Sequence, residues 1–187
     1  MITSESTLTD VCFAVSTALD HHGMPAVLTG GSAAAVFAPH ADMSDDADFI
    51  LTHDDSLGDV AVALQSIGFQ RDGRSRMFVH LHTRFTVDFP KGPLSVGGDY
   101  LQETHVLERG DLRLRILTRI DCIRDRLAHF YFWNDYTALN AAVGVAADAS
   151  ADLDLSPVQA WTERESPLLL EKYAEFERRL QQARKLF

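Results

Sequence analysis

"MSDDADFIL", residues 43–51, sets three aspartates at the entrance to an apolar run. Aspartate is depleted in β-strands, and a carboxylate on a sheet face is costly unless something compensates its charge. Side chains alternate across a strand. Asp46, Asp48 and Ile50 therefore share one face, and Ala47, Phe49 and Leu51 the other. The second face requires a core, and the acidic pair on the first can grip one divalent ion. A buried strand with a chemically active polar face is the reading that accounts for both.

"RFTVDF", residues 84–89, repeats the pattern: Arg84, Thr86 and Asp88 face one way, Phe85, Val87 and Phe89 the other. A single such aspartate reads as a turn or cap residue. Two alternating strands that each carry an acidic polar face do not. If the two strands are neighbours, Asp88 joins Asp46 and Asp48 at a common centre, expected at the edge of one sheet. Three carboxylates that leave coordination positions open suit Mg²⁺ (or Mn²⁺), which keeps water and takes substrate phosphates as its other ligands. Upstream, "TGGS" (residues 29–32) joins a short apolar strand to a helix. Glycines there allow close backbone approach, and helical N–H groups can hold a phosphate. Ser32 can add a hydroxyl. No Gly-Lys-Ser/Thr follows, and G-x-G-x-x-G is absent, so the turn is neither a Walker loop nor a dinucleotide fingerprint.

The chain has 187 residues, a length that fits one domain or a compact domain with a helical appendage. Its 46% hydrophobic and 24% charged content is that of a soluble globular protein. No apolar run reaches the length of a membrane span. "MITSESTLTD" carries no Lys or Arg, as a secretory or transit leader would, so a cytoplasmic location is expected. Cys12 and Cys122 match no zinc spacing and read as reduced structural thiols. The net charge of −10 argues against a general nucleic-acid binder. All 17 Lys and Arg side chains lie at Arg71 or beyond, so an anion held near the first third must be neutralised by metal, backbone N–H groups or the second half.

Periodicity predicts a helix over residues 6–22, a strand at "AVLT", a helix at "SAAAVFA", a strand at 46–51 and a helix at 55–67. Strand-like runs follow at 76–82, 84–89 and roughly 104–117, and the pattern is helical from Thr118 onward. Ser156-Pro157 and Ser166-Pro167 read as caps followed by Pro at the first helical position. The expected organisation is an α/β domain over residues 1–117, with a helical segment over 118–187 packed on it. His80 and His82 read as a polar strand face or as acceptor-site groups. Trp133 and Tyr136 read as packing between helices or as a stacking surface for a base. Residues 109–126 hold six arginines against three aspartates. Of these, Arg113 and Arg115 read as a solvated strand face, whereas Arg124 and Arg126 are the expected anion-facing groups.

Taken together, "GGS…SDDADF…VDF" resembles the nucleotidyltransferase superfamily typified by DNA polymerase beta. Its signature is a Gly-Gly/Ser turn, a spacer, an acid-x-acid strand and a third acid on a later strand. Thirteen residues separate Ser32 from Asp46 here, near the long end of the family's range. The resemblance implies a mixed-sheet α/β (α+β) nucleotidyltransferase fold. It also implies Asp46, Asp48 and Asp88 as catalytic metal ligands, and Gly30, Gly31 and Ser32 as the nucleotide-holding turn. "DCIRDRLAHFYFWNDYTAL" (residues 121–139) is similar to the helical signature of bacterial abortive-infection and toxin–antitoxin nucleotidyltransferases. That similarity implies nucleotide-binding roles for Arg126, in place of the usual Lys, and for Asp135. Asp42 stands where the family commonly has a basic residue.

The implied function is Mg²⁺-dependent transfer of a nucleoside monophosphate from a nucleoside triphosphate. The acceptor would be a small molecule, a protein side chain or an RNA end, with a toxin–antitoxin or defence role and a partner protein or RNA among the expectations. Two alternatives share the same residues: a degenerate module that binds nucleotide or a partner without catalysis, and a metal-dependent phosphohydrolase that uses water as acceptor.

Overall fold

The computed structural model describes residues 2–40, 44–53, 55–149 and 153–185. Helix α1 (Leu8–His21) begins in a capping box in which Thr7 and Asp10 satisfy each other's backbone N–H groups. Strand β1 (Ala26–Thr29) runs without a loop into α2 (Gly30–Phe37), and β2 (Asp46–Leu51) returns antiparallel to β1. Next come α3 (Leu57–Gln65), β3 (Phe69–Arg71), β4 (Met77–His80) and β5 (Thr83–Asp88). A two-stranded ribbon, β6 (Ser95–Val96) with β7 (Asp99–Tyr100), precedes β8 (His105–Arg109) and β9 (Leu112–Ile116).

Among the described residues, the main sheet has seven strands in the order β3-β4-β5-β2-β1-β9-β8, which puts β2 at its centre. The alternation in residues 46–51 decides that place. Ala47 and Phe49 are fully buried, and they share a face with Phe78, Val87, Phe89, Leu28, Leu114 and Ile116, all buried. Phe49 stacks near Phe89 (centroids 6.2 Å apart), and Phe78 meets the same ring edge-on at 5.5 Å. Helix α1 packs along β1 and β9, and α3 along β3. Thr17 and Ser16 of α1 accept the N–H groups of Arg113 and Arg115, at 2.8 and 3.1 Å, where β9 leaves them unpaired by β1.

The helical segment comprises α4 (Arg119–Trp133), α5 (Tyr136–Ala147), α6 (Ser156–Glu165), a 3₁₀ turn at Pro167–Leu169 and α7 (Leu170–Ala183). α4 and α5 pack on α2, and α7 packs on α5. One hydrophobic cluster joins sheet residues such as Phe49 and Leu114 to Leu127, Leu139, Trp161 and Phe176 of these helices. Among the described residues, no helix is long and apolar enough to cross a membrane. Cys12 and Cys122 are buried and form no disulfide. Burial raises the Cys12 thiol pKa, which keeps it protonated.

Some elements differ from the sequence expectation. The run at 104–117 is a hairpin of two strands, turned by Gly110 at φ +59°. β3, β6 and β7 are two or three residues long, too short to show alternation. Ser156 lies inside the first turn of α6 rather than capping it. The cap position is Leu155, and Asp154 accepts from both the Ser156 N–H and hydroxyl. Trp133 and Tyr136 are 69% and 54% exposed, so neither fills the space between helices.

Candidate active site

Strands β2 and β5 pair in parallel with Asp48 opposite Asp88 and Asp46 opposite Thr86. Parallel partners share a face, so all three carboxylates project on the side away from Phe49, Val87 and Phe89. The acids lie at strand ends in the middle of the sheet, not along its lateral edge: Asp88 ends β5, and Asp48 pairs with Thr29, the end of β1. Asp45, the third acid of the opening stretch, stands outside the group and makes an exposed ion pair with Arg84 at 3.3 Å.

The turn from β1 into α2 meets this group directly. Gly30 has φ +70°, a region that side chains rarely adopt. A Cβ there would lie 2.9 Å from Asp48 Oδ2 and 3.8 Å from Arg126 Nη2. Only glycine lets the backbone come so close to both. Thr29, at the N-cap, places no side-chain cap on α2, and its hydroxyl instead donates to the Asp48 carbonyl at 3.3 Å. Among the described residues, no side chain accepts from the first N–H groups of α2, the condition in which a helix start favours an anion. Ser32 is fully buried. Its hydroxyl donates to the Thr29 carbonyl at 2.9 Å and accepts the Asp48 N–H at 3.3 Å. The hydroxyl expected to meet a phosphate thus ties β1, α2 and β2 together and sets the height of Asp48.

Burial, reinforced by the carboxylates of Asp46 and Asp88, pushes the Asp48 pKa up to about 6, with Asp125 adding in the same sense and Arg126 opposing. Arg126 projects from α4 into this field. Its side chain is 10% exposed and paired with Asp125 through Nη2 at 2.7 Å and Nε at 3.0 Å. Arg124 is differently placed. It binds Asp99 and Asp121 at 2.5 and 2.7 Å and lies over the Trp161 ring, so it fastens α4 to the β7 ribbon and α6 and does not face the acids. Asp135 accepts the N–H groups of Thr137 and Ala138, at 2.9 and 3.1 Å, as the N-cap of α5. Asp42 lies outside the described residues.

His80 shares the face of Phe78 and Phe69, because Met77 is the β4 residue opposite Asp88. It therefore points away from the acids, and His82 lies beyond the end of β4. Sequence reasoning passed over Lys91, three residues after Asp88. It lines a cavity of about 210 Å³ together with Thr29, Ile50, Leu94 and Asp125, beside the acid group. Its only sequence signal is position, as the first cation after the third acid.

Among the described residues, no three of His, Cys, Asp or Glu are drawn together closely enough to enclose a metal ion. Asp88 Oδ1 instead accepts the Phe89 N–H at 2.8 Å. The donor set nonetheless fits a hard divalent cation. It consists of carboxylates on one face; burial first and the neighbouring carboxylates second raise the Asp48 pKa, and a cation would relieve the second of these.

No family model matches the chain, and no curated protein matches its sequence. Among solved structures, the fold is similar to that of an antigenic nucleotidyltransferase-like protein from Paracoccidioides brasiliensis. The TM-score is 0.62 at 12% identity, covering 90% of this chain and 93% of that one. The mixed sheet and its helices thus form a nucleotidyltransferase-like fold.

Proposed function

We propose that this chain is a nucleotidyltransferase that moves a nucleoside monophosphate from a nucleoside triphosphate to an acceptor hydroxyl or phosphate. The observation that carries this reading is the parallel register of Asp48 with Asp88, with Asp46 on the same face and the Gly30 turn against Asp48. Asp46, Asp48 and Asp88 would hold Mg²⁺ or Mn²⁺. When bound, the ion would neutralise developing phosphate charge and lower the pKa of the attacking hydroxyl.

The residues of the chain do the rest. Backbone N–H groups of the Gly30–Gly31 turn hold phosphate oxygens at the start of α2. Arg126 and Lys91 supply the positive charge that the acidic first third of the chain lacks. An acceptor oxygen forms a bond to the α-phosphorus while the bond to the bridging oxygen breaks, and pyrophosphate departs. Asp88 takes the acceptor's proton on the oxygen not engaged with the Phe89 N–H. Asp135, which caps α5, acts on nucleotide binding by fixing the end of α4 that leads back to Arg126. Likeness of the helical segment to toxin–antitoxin and abortive-infection enzymes extends the reading to a defence role, with a small molecule, a protein side chain or an RNA end as acceptor.

The test is incubation of the protein with each labelled nucleoside triphosphate, Mg²⁺ and cell extract. Release of pyrophosphate with label on an acceptor is the expected result. Release of inorganic phosphate without a labelled acceptor would make the protein a phosphohydrolase. Release of neither, with nucleotide still bound, would make it a binding module.

A further inference from the structure

The alternation of β9 reads Arg115 as part of a solvated strand face, and its surroundings are different. Leu28 pairs with both Phe49 and Ile116, so Ile116 shares the apolar face of the sheet. Arg115, its neighbour on β9, points to the opposite face, the one that carries Asp48. The register puts Arg115 level with Val27 and Ile50, so two strand spacings of ~4.8 Å and two residues of ~3.3 Å along the strand place it about 12 Å from Asp48. Its Nε is buried with no hydrogen-bond partner, and among the described residues no carboxylate pairs with it. A buried donor on a cation left without a partner is costly and asks for an explanation.

The surroundings supply one. Arg115 lines a cavity of about 570 Å³. Among the described residues it is the only charged side chain there, in a protein of net charge −10. Tyr100, Gln102 and Thr104 bring hydrogen-bonding groups to the same space, and none of the three side chains has a partner elsewhere among the described residues. Pro93 and Leu94 line both this cavity and the smaller one beside Thr29, Ile50 and Lys91, so the two adjoin on one side of the sheet. The backbone over the cavity is held in place by the Leu101 N–H, which donates to the Leu94 carbonyl at 3.0 Å.

We infer that this cavity seats an oxyanion, a carboxylate or phosphate group carried by a small molecule, on the Arg115 guanidinium. The planar guanidinium matches such a group with two parallel hydrogen bonds, and Tyr100, Gln102 and Thr104 complete its polar surroundings. On the nucleotidyltransferase reading, on which this last step rests, the molecule is the acceptor: anchored by its anionic end at Arg115, it presents its hydroxyl toward the acids. The chemistry therefore selects a small anionic acceptor over a neutral one.

Anion binding is measured without nucleotide or metal, so its outcome is separate from that of the transfer reaction. Thermal melts are followed in EDTA at constant ionic strength while inorganic phosphate, or in a second series citrate, replaces chloride. A saturable rise in Tm with either anion is expected, and the series with the tighter response identifies phosphate or carboxylate as the preferred group. Arg115→Gln should weaken that binding about 10- to 100-fold, the range set by loss of a charged hydrogen bond. Arg115→Lys should recover only part of it, because the ammonium lacks the planar fork. Should Arg115→Gln fail to fold, Gln102→Ala and Thr104→Val at the rim must each weaken binding. No saturable shift with either anion, a shift that survives Arg115→Gln, or rim variants that bind as the parent does would overturn the inference. If binding is lost in Arg115→Gln but the protein transfers no nucleotide, the anion site stands and only its link to an acceptor falls.

Discussion

Replacing Asp48 by Asn should make the metal-free protein more stable, an unusual outcome for a change in the middle of a sheet. The carboxylate is displaced from 3.8 to about 6, first by burial and then by Asp46 and Asp88. At about 1.4 kcal/mol per pH unit, that displacement amounts to roughly 3 kcal/mol. The folded-state value is raised above the unfolded one, so the associated stability is fully present below about pH 4. It is lost as the pH rises through about 6. Asn cannot ionise and keeps that stability at every pH. Its backbone bonds to Ser32 and Thr29 are those of Asp48 and are not disturbed. Urea unfolding in EDTA should therefore show Asp48→Asn about 2–3 kcal/mol more stable than the parent at pH 7.5, shrinking toward zero near pH 4. In a thermal melt the same gain is roughly 4–12 °C. Adding Mg²⁺ and a nucleoside triphosphate at 100 times Kd adds about 2.7 kcal/mol to the parent only and should bring the two level, and at 1,000 times Kd, about 4.1 kcal/mol, the parent should be the more stable. An Asn variant that is less stable at pH 7.5, or whose advantage does not change with pH, would refute the electrostatic account of the site. An undiminished metal-dependent shift in the variant would move the ions elsewhere.

Three further outcomes follow from the geometry. Gly30→Ala places a Cβ 2.9 Å from Asp48 Oδ2 at a positive φ, so a loss of about 1–3 kcal/mol in urea unfolding and a collapse of nucleotidyl transfer are expected. Ser32→Ala leaves the Thr29 carbonyl and the Asp48 N–H without their shared hydroxyl; a loss of about 1–3 kcal/mol is expected, and activity should fall through kcat as Asp48 shifts. Arg126→Lys keeps the charge opposite Asp125 and should leave a folded protein by circular dichroism. Its binding of nucleotides, read by calorimetry, should weaken most for the triphosphate, less for the diphosphate and least for the monophosphate. Equal weakening for all three would assign Arg126 to the packing of α4 alone.

The local pattern of the chain was enough to place the acids on a common type of surface. Alternation in residues 46–51 and 84–89 is a property of contiguous residues, and any extended backbone puts Asp46, Asp48 and Asp88 on polar faces. The glycine pair after Thr29 likewise announces a close approach of backbone, since only glycine adopts Gly30's φ of +70° without strain. Those inferences need no knowledge of neighbours. Which strand lies beside β2, and in which register, depends on the summed burial of Phe49, Phe78, Val87 and Phe89 on the far face. A one-residue slip of β5 would have turned Asp88 into the core. Tertiary structure likewise decided the roles of the cations. Arg124 and Arg126 are two residues apart on one helix, yet one is held by Asp99 and Asp121 and the other reaches the field of Asp48. Arg115 reads as a solvated residue because its strand alternates like any other. The segment carrying Leu94 and Tyr100–Thr104, 11 to 21 residues before it, folds across that face and forms a cavity around it. Chain periodicity sets which way a side chain points; what waits for it there is set by packing between segments far apart in sequence.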